Sequence, residues 1–253
     1  MKVEVVHGLL QDFQADTLVV NSFEGVLNPG GATGAVDQAM KGAISELIAG
    51  GDFSGKAGET AVLYPRGLLP ARRVVLVGLG KQASFDLEAV RRASAAALKK
   101  AQDLNAKQVA SIIHGAGIGG LQVQEASQAT VEGALLGLYS FAADKQNSNS
   151  KHKIEQLSLV TNAADMVEAA RKGATIAQEI AGGVFLARDL VNMPPNVATP
   201  TKMAETAREI AAAYGLQLTI GDRDWAAERN MGAYLAVAKG AGEPPYFIVL
   251  EHN

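Results

Sequence analysis

Short runs of Val, Leu and Ile alternate with longer stretches whose apolar residues recur every three or four positions. The runs at 2–6, 17–21, 60–64, 73–78, 109–114 and 157–160 are too continuously apolar for strands washed by solvent on one side. They read as strands buried on both faces. Between them, helical spacing appears at 35–48 (Val36, Met40, Ile44, then Leu47 or Ile48), at 87–104 (Ala89, Val90, Ala93, Ala97, Leu98) and at 125–142 (Ala129, Val131, Leu135, Leu138, Tyr139). A sheet buried on both faces needs a helical layer on each, so the alternation predicts an α/β domain of three layers, α/β/α.

The pattern changes after residue 153. The stretch 143–153, ADKQNSNSKHK, is the most polar of the chain and reads as an exposed loop before the last strand of this domain. Near 161–165 the domain is expected to end, with Asn162 capping a long helix over 163–191. Its apolar positions include Met166, Val167, Ala170, Ala174, Ala177, Ile180, Val184 and Ala187. Gly173, Gly182 and Gly183 weaken that helix locally, and the last two predict a kink or a close helix contact. Pro194 and Pro195 end it. Beyond lie a helix over 201–214 with Pro200 at its start and Gly215 as its stop, a strand at 216–220, a short helix at 222–229 and a strand at 246–250. These elements open a second α/β domain without completing it. The expected division is 1–162 and 163–253.

Composition excludes several function classes. The formal net charge of -3 and the lack of a basic run leave no field to hold nucleic acid. With no cysteine among 253 residues, disulfides, thiolate metal sites and a cysteine nucleophile are all absent. No stretch reaches the roughly 18 apolar residues of a membrane span. The first residues, MKVEVVHGLLQDF, carry charge at Lys2, Glu4 and Asp12 and do not read as a signal peptide, so the cytoplasm is the expected location.

Two glycine-rich loops carry the sharpest local signal. One is Asn28-Pro29-Gly30-Gly31-Ala32-Thr33-Gly34, between the second strand and the first helix. The other is Gly115-Ala116-Gly117-Ile118-Gly119-Gly120, after the fifth strand. Glycines between a strand and a helix let backbone N–H groups approach an anion at the helix N-terminus. The second loop satisfies G-x-G-x-x-G, but a dinucleotide site also wants an acidic residue at the end of the next strand, about 20 residues on. That distance falls inside a helix here. The two open readings are tight turns of the fold and a phosphate pocket.

The stretch from Ala187 resembles the opening of the catalytic domain of the leucyl aminopeptidases, a family of cytosolic two-metal exopeptidases. Arg188, Leu190, Asn192, Pro194, Asn196, Pro200, Met231, Gly232, Gly240 and Pro244-Pro245 carry the likeness. Most of 1–160 resembles a macrodomain, through DTLVVNSFEGVLNPGGATGAVDQA, AGETAVLYPRGLLPARRVVLVG and SIIHGAGIGG. That agrees, because the N-terminal domain of the aminopeptidase family is macrodomain-like, with a mixed sheet. The resemblance implies a complete protein that removes N-terminal residues from peptides with two divalent ions, zinc or manganese, and that assembles as a homo-oligomer, a hexamer. It also implies that the metal ligands follow a Gly-Lys-Gly segment that would come after Asn253. The expectation is therefore an N-terminal part with no catalytic or metal residue of its own, binding no metal and inactive alone.

The alternative is a module for ADP-ribose or a nucleotide phosphate, of macrodomain type. Three departures count against it: Gly8-Leu9-Leu10 where such binders place an acidic residue, Asn21-Ser22-Phe23-Glu24 where they carry Asn and Ala, and Gly119 where an aromatic stacks. Other chemistries find little. His7, His114, His152 and His252 are scattered, and His114 reads as a packed strand-end residue. Lys239 lies one segment too early for a metal-binding lysine. Glu205, Glu209, Asp222, Asp224 and Glu228 read as solvated helix faces. Arg188, Asn192 and Asn196 read as helix-end and turn residues around the di-proline.

Overall fold

The computed structural model describes residues 1–117, 119–141 and 153–252. Most of the polar stretch 143–153, with His152, Ile118 and Asn253, lies outside them. The chain divides into two compact units, Met1–Leu186 and Ala187–Asn253.

The first unit holds one six-stranded sheet in the order β1-β6-β5-β2-β4-β3. Its strands are β1 (Lys2–His7), β2 (Thr17–Ser22), β3 (Thr60–Leu63), β4 (Arg73–Gly78), β5 (Gln108–Ser111) and β6 (Gln156–Thr161). All neighbours pair in parallel except β3 on β4, so the sheet is mixed. The alternation along β2 shows why the strand is apolar throughout. Val19 faces one core with Val75, Val77 and Leu157, while Leu18 and Val20 face the other with Val74 and Leu76.

Helices α1 (Gly31–Ala39) and α2 (Ala43–Ala49) cover the second face through Val36, Ile44 and Ile48. The first face is covered by α3 (Leu87–Asp103), α4 (Val123–Gly137) and the start of α5 (Val167–Asn192), through Ala93, Ala97, Leu98, Val131 and Ala170. The Asp86 carboxylate caps α3 by accepting from Ala89 N at 2.8 Å. Between α3 and α4, Arg91 Nε donates to the buried Glu132 at 2.6 Å.

The structure corrects several sequence expectations. The helix read at 35–48 is two helices, because Lys41 and Gly42 take left-handed backbone (φ 59° and 86°). Asp37 holds the break together: its carboxylate accepts from Ile44 N at 2.7 Å, Ser45 N at 3.1 Å and Ser45 Oγ at 2.6 Å. The fifth strand stops at Ser111, not His114, since the chain turns at Gly115 (φ 86°) into the second glycine loop. Asn162 does not open the long helix. A 3₁₀ turn, Ala164–Met166, precedes α5, and Ala163 N donates to Thr161 Oγ1 at 3.3 Å. Helix α5 runs unbroken through Gly182-Gly183 to Asn192.

The sequence boundary at 162/163 precedes α5, whereas the contacts divide the chain within that helix. Its early turns pack on α4: Ser127 Oγ donates to Ala170 O at 2.7 Å, and Gly173 lies against the backbone of Gln124.

In the second unit, α6 (Pro200–Tyr214) is capped by Thr199 Oγ1, which accepts from Lys202 N at 3.2 Å. It ends at Gly215 in left-handed backbone. Strands β7 (Gln217–Gly221) and β8 (Phe247–Glu251) form a two-stranded antiparallel sheet, with α7 (Arg223–Glu228) between them in sequence. Trp225 of α7 packs on Gly221 and stacks on Phe247. Helix α8 (Gly232–Ala238) was not expected. Tyr234 and Leu235 are its large partly buried side chains, too few for a helical period to stand out.

Candidate functional site

The first unit contains a cleft of about 310 Å³ at the carboxyl ends of β2, β5 and β6. Parallel α/β sheets place ligands there, because loops and helix N-termini converge where the strands end. Both glycine loops meet at this cleft. Gly30, Gly31, Ala32 and Thr33 supply one wall, and Gly115, Ala116, Gly117 and Gly119 supply another. Leu10, Phe23, Ile112 and Val160 make an apolar side, and among the described residues no charged side chain lines the cleft.

Local chemistry sets the first wall. Gly30 caps α1 with no side-chain hydrogen bond, so the first-turn amides of α1 have no partner within the helix. Gly34 is required by space, since a Cβ there would stand 2.6 Å from Pro29 O. Thr33 Oγ1 ties the helix to the strand by donating to Asn21 O at 2.9 Å.

Beneath the cleft lies His114, wholly buried. Asn21 Nδ2 donates to its Nδ1 at 2.8 Å, which puts the ring proton on Nε2, 3.5 Å from Ser111 Oγ. Burial lowers its pKa to about 4 from the ordinary 6.5. At neutral pH it is an uncharged imidazole that orients the cleft-lining Asn21 amide. The sequence marked His114 as packed, but the link to Asn21 spans 93 positions and has no local signal.

The residues weighed as metal or catalytic groups do not come together. His7 Nε2 lies 3.2 Å from Asn162 O, and His252 is exposed. Glu205, Glu209, Asp224 and Glu228 are exposed on helices, while Asp222 caps α7 through Trp225 N at 2.9 Å. Lys239 is the exposed C-cap of α8. Arg188 and Asn192 belong to the end of α5, and Asn196 is exposed beyond Pro194, whose carbonyl accepts from Val197 N at 2.8 Å. Among the described residues no group of three or more His, Asp or Glu is placed to hold a metal ion. Two hydrolytic metals need several such donors converging on one point, so these residues do not fit a two-metal centre. Among the described residues no helix is long and apolar enough to cross a membrane.

Known proteins similar to this chain agree with one another. Residues 19–148 match the profile of the cytosol aminopeptidase family, N-terminal domain, and residues 185–253 match that of its catalytic domain. A probable cytosol aminopeptidase of Alkaliphilus oremlandii is 34% identical over 253 residues, covering 100% of this chain and 50% of its own length. A cytosol aminopeptidase of Pseudomonas aeruginosa is 36% identical over 225 residues, covering 88% of this chain and 45% of its own. Among solved structures, a tomato leucine aminopeptidase mutant superposes with a TM-score of 0.81 at 27% identity, over 98% of this chain and 50% of that one. The bottromycin maturation enzyme BotP in complex with Mn gives 0.71 at 25% identity, over 94% and 45%. The chain thus spans about half the length of the curated relatives it matches.

Proposed function

Because this chain belongs to the cytosol aminopeptidase family, we propose that it forms the amino-terminal half of a metal-dependent aminopeptidase, a hydrolase releasing N-terminal residues from peptides. The observation that carries the proposal is a match over the whole chain that covers half of the relative's length. Residues 1–162 are then the macrodomain-like domain. Residues 163–253 are the connecting helix and the opening of the catalytic domain.

In this reading the two divalent ions, zinc or manganese, take ligands outside residues 1–253, and no catalytic residue lies within them. Bound metals would supply an activated water and a polarised scissile carbonyl. The residues of this chain hold neither. Their part is to build the sheet domain and to begin the catalytic one. The proposed setting is the cytoplasm, in a homo-oligomer of hexameric type, acting on peptides. Equilibrium dialysis of the 253-residue chain against Mn²⁺ or Zn²⁺ tests the ligand assignment. No stoichiometric binding is expected, and two tightly held equivalents would refute it.

The cleft favours a second reading for the first unit, a module that holds a nucleotide phosphate or ADP-ribose. What favours it is the open first turn of α1 facing the second glycine loop. Calorimetry with ADP-ribose decides it, and no heat at millimolar ligand would remove it.

A further inference from the structure

The end of the sheet opposite the cleft buries two polar side chains next to one another. Thr17 and Arg73 are the first residues of β2 and β4, and they are partners in the parallel register of those strands. Side chains alternate along a strand, so both lie on the sheet's first face, with Val19 and Val75. Thr17 is wholly buried and Arg73 is only 6% exposed. Among the described residues, Thr17 Oγ1 and Arg73 Nε are the buried side-chain polar atoms without a hydrogen-bond partner. Through Nη1 the guanidinium donates to the carbonyl oxygen of Leu104, the C-cap residue of α3. The carboxylate of Asp16, next to Thr17 in the chain, is committed elsewhere. Its Oδ2 accepts from Lys107 N at 2.8 Å and from Gln108 N at 3.0 Å, where β5 begins.

We propose that Thr17 Oγ1 and Arg73 Nε hold one internal water molecule, which joins β2 to the Arg73 side chain and through it to the C-terminal end of α3. A buried donor that has left solvent keeps none of its hydrogen bonding, and an internal water restores it. The span suits a single oxygen. Neighbouring strands lie about 4.8 Å apart, and two hydrogen bonds of about 2.8 Å meeting at one oxygen cross that distance. A water accepts from Arg73 Nε and either donates to or accepts from the Thr17 hydroxyl. A small anion would meet the same two donors, but the Leu104 carbonyl lies on the same guanidinium, at the negative end of the α3 dipole, and repels it. Water, which donates as well as accepts, tolerates that carbonyl. The site is independent of the cleft and of any ligand held there.

The experiment uses the full 253-residue chain, with Thr17→Val and Thr17→Ser beside wild type. Valine keeps the branched shape of threonine and removes the hydroxyl, whereas serine keeps the hydroxyl. Circular dichroism checks that each variant folds. Oxygen-17 magnetic relaxation dispersion then counts the waters held inside each chain. The expected result is the loss of one long-lived water in Thr17→Val and the wild-type count in Thr17→Ser. Equal counts in all three chains, or an equal loss in both variants, would overturn the site. A crystal structure of the wild-type chain grown with bromide identifies the occupant and decides the matter even where Thr17→Val does not fold. A water within about 3.2 Å of both Thr17 Oγ1 and Arg73 Nε, with no anomalous signal, is expected. A bromide peak at that point would replace the water by an anion and overturn the proposal, and so would a direct hydrogen bond between Thr17 and Arg73.

Discussion

Two glycines of α5 make a test in which the same substitution has opposite signs on one helix. Gly173→Ala puts a methyl against the carbonyl oxygen of Gln124 in α4, a backbone atom that moves only if the helices part. Overpacking of this kind costs about 1–3 kcal/mol, and the upper part of that range applies because no flexible side chain can yield. Alanine's better helix propensity returns about 1 kcal/mol. The net expectation is a loss of about 1–2 kcal/mol. Gly182→Ala meets nothing within 4 Å and keeps only the gain, so it stabilises by roughly 0.5–1 kcal/mol. In a unit of this size, 1 kcal/mol moves the midpoint by about 2–4 °C. Melting the two variants side by side should therefore separate them by roughly 3–12 °C, with wild type between. Two shifts of the same sign would show that Gly173 does not mark the closest approach of α5 and α4.

Asp37→Ala removes the acceptor for two backbone amides and a hydroxyl that begin α2, and should cost about 2–4 kcal/mol. Amide hydrogen exchange at Ile44 and Ser45 should accelerate with it, and unchanged protection would contradict the capping role. His114 predicts a pH dependence. Its folded pKa of about 4 lies below the unfolded 6.5, so between these values the unfolded chain binds the extra proton. Its contribution is fully present above pH 6.5 and is lost as pH falls towards 4, on the order of 3 kcal/mol in all. A His114→Gln variant should flatten that part of the stability profile, and an unchanged slope would remove His114 as its source.

Strand positions were legible because burial on both faces leaves no polar residue to hide the run: Val74, Val75, Leu76 and Val77 are all wholly buried. Cap and stop residues also signalled truly where the chemistry is local, as with Pro200 and Gly215 at the two ends of α6. What the sequence hid depends on contacts between distant positions. The apolar spacing of 35–48 continues through Gly42, so the break between α1 and α2 shows only in Lys41 and Gly42 backbone and in the reach of Asp37 to Ile44. The glycine loops announced a strand-to-helix turn, but their meeting at one cleft follows from β2 and β5 being neighbours in the sheet. Along α5, Gly173 and Gly182 read alike, and only the presence of α4 distinguishes them.

In the proposed function these 253 residues supply the architecture of an aminopeptidase half and none of its metal chemistry. Hydrolysis of a leucine-aryl amide with added Mn²⁺ or Zn²⁺ tests it most directly, for the chain alone and with the second half of the Alkaliphilus oremlandii relative. No turnover is expected from the chain alone, and metal-dependent turnover is expected from the mixture. Metal-dependent turnover by the purified chain alone, abolished by Lys239→Ala, would contradict it and make Lys239 a metal ligand.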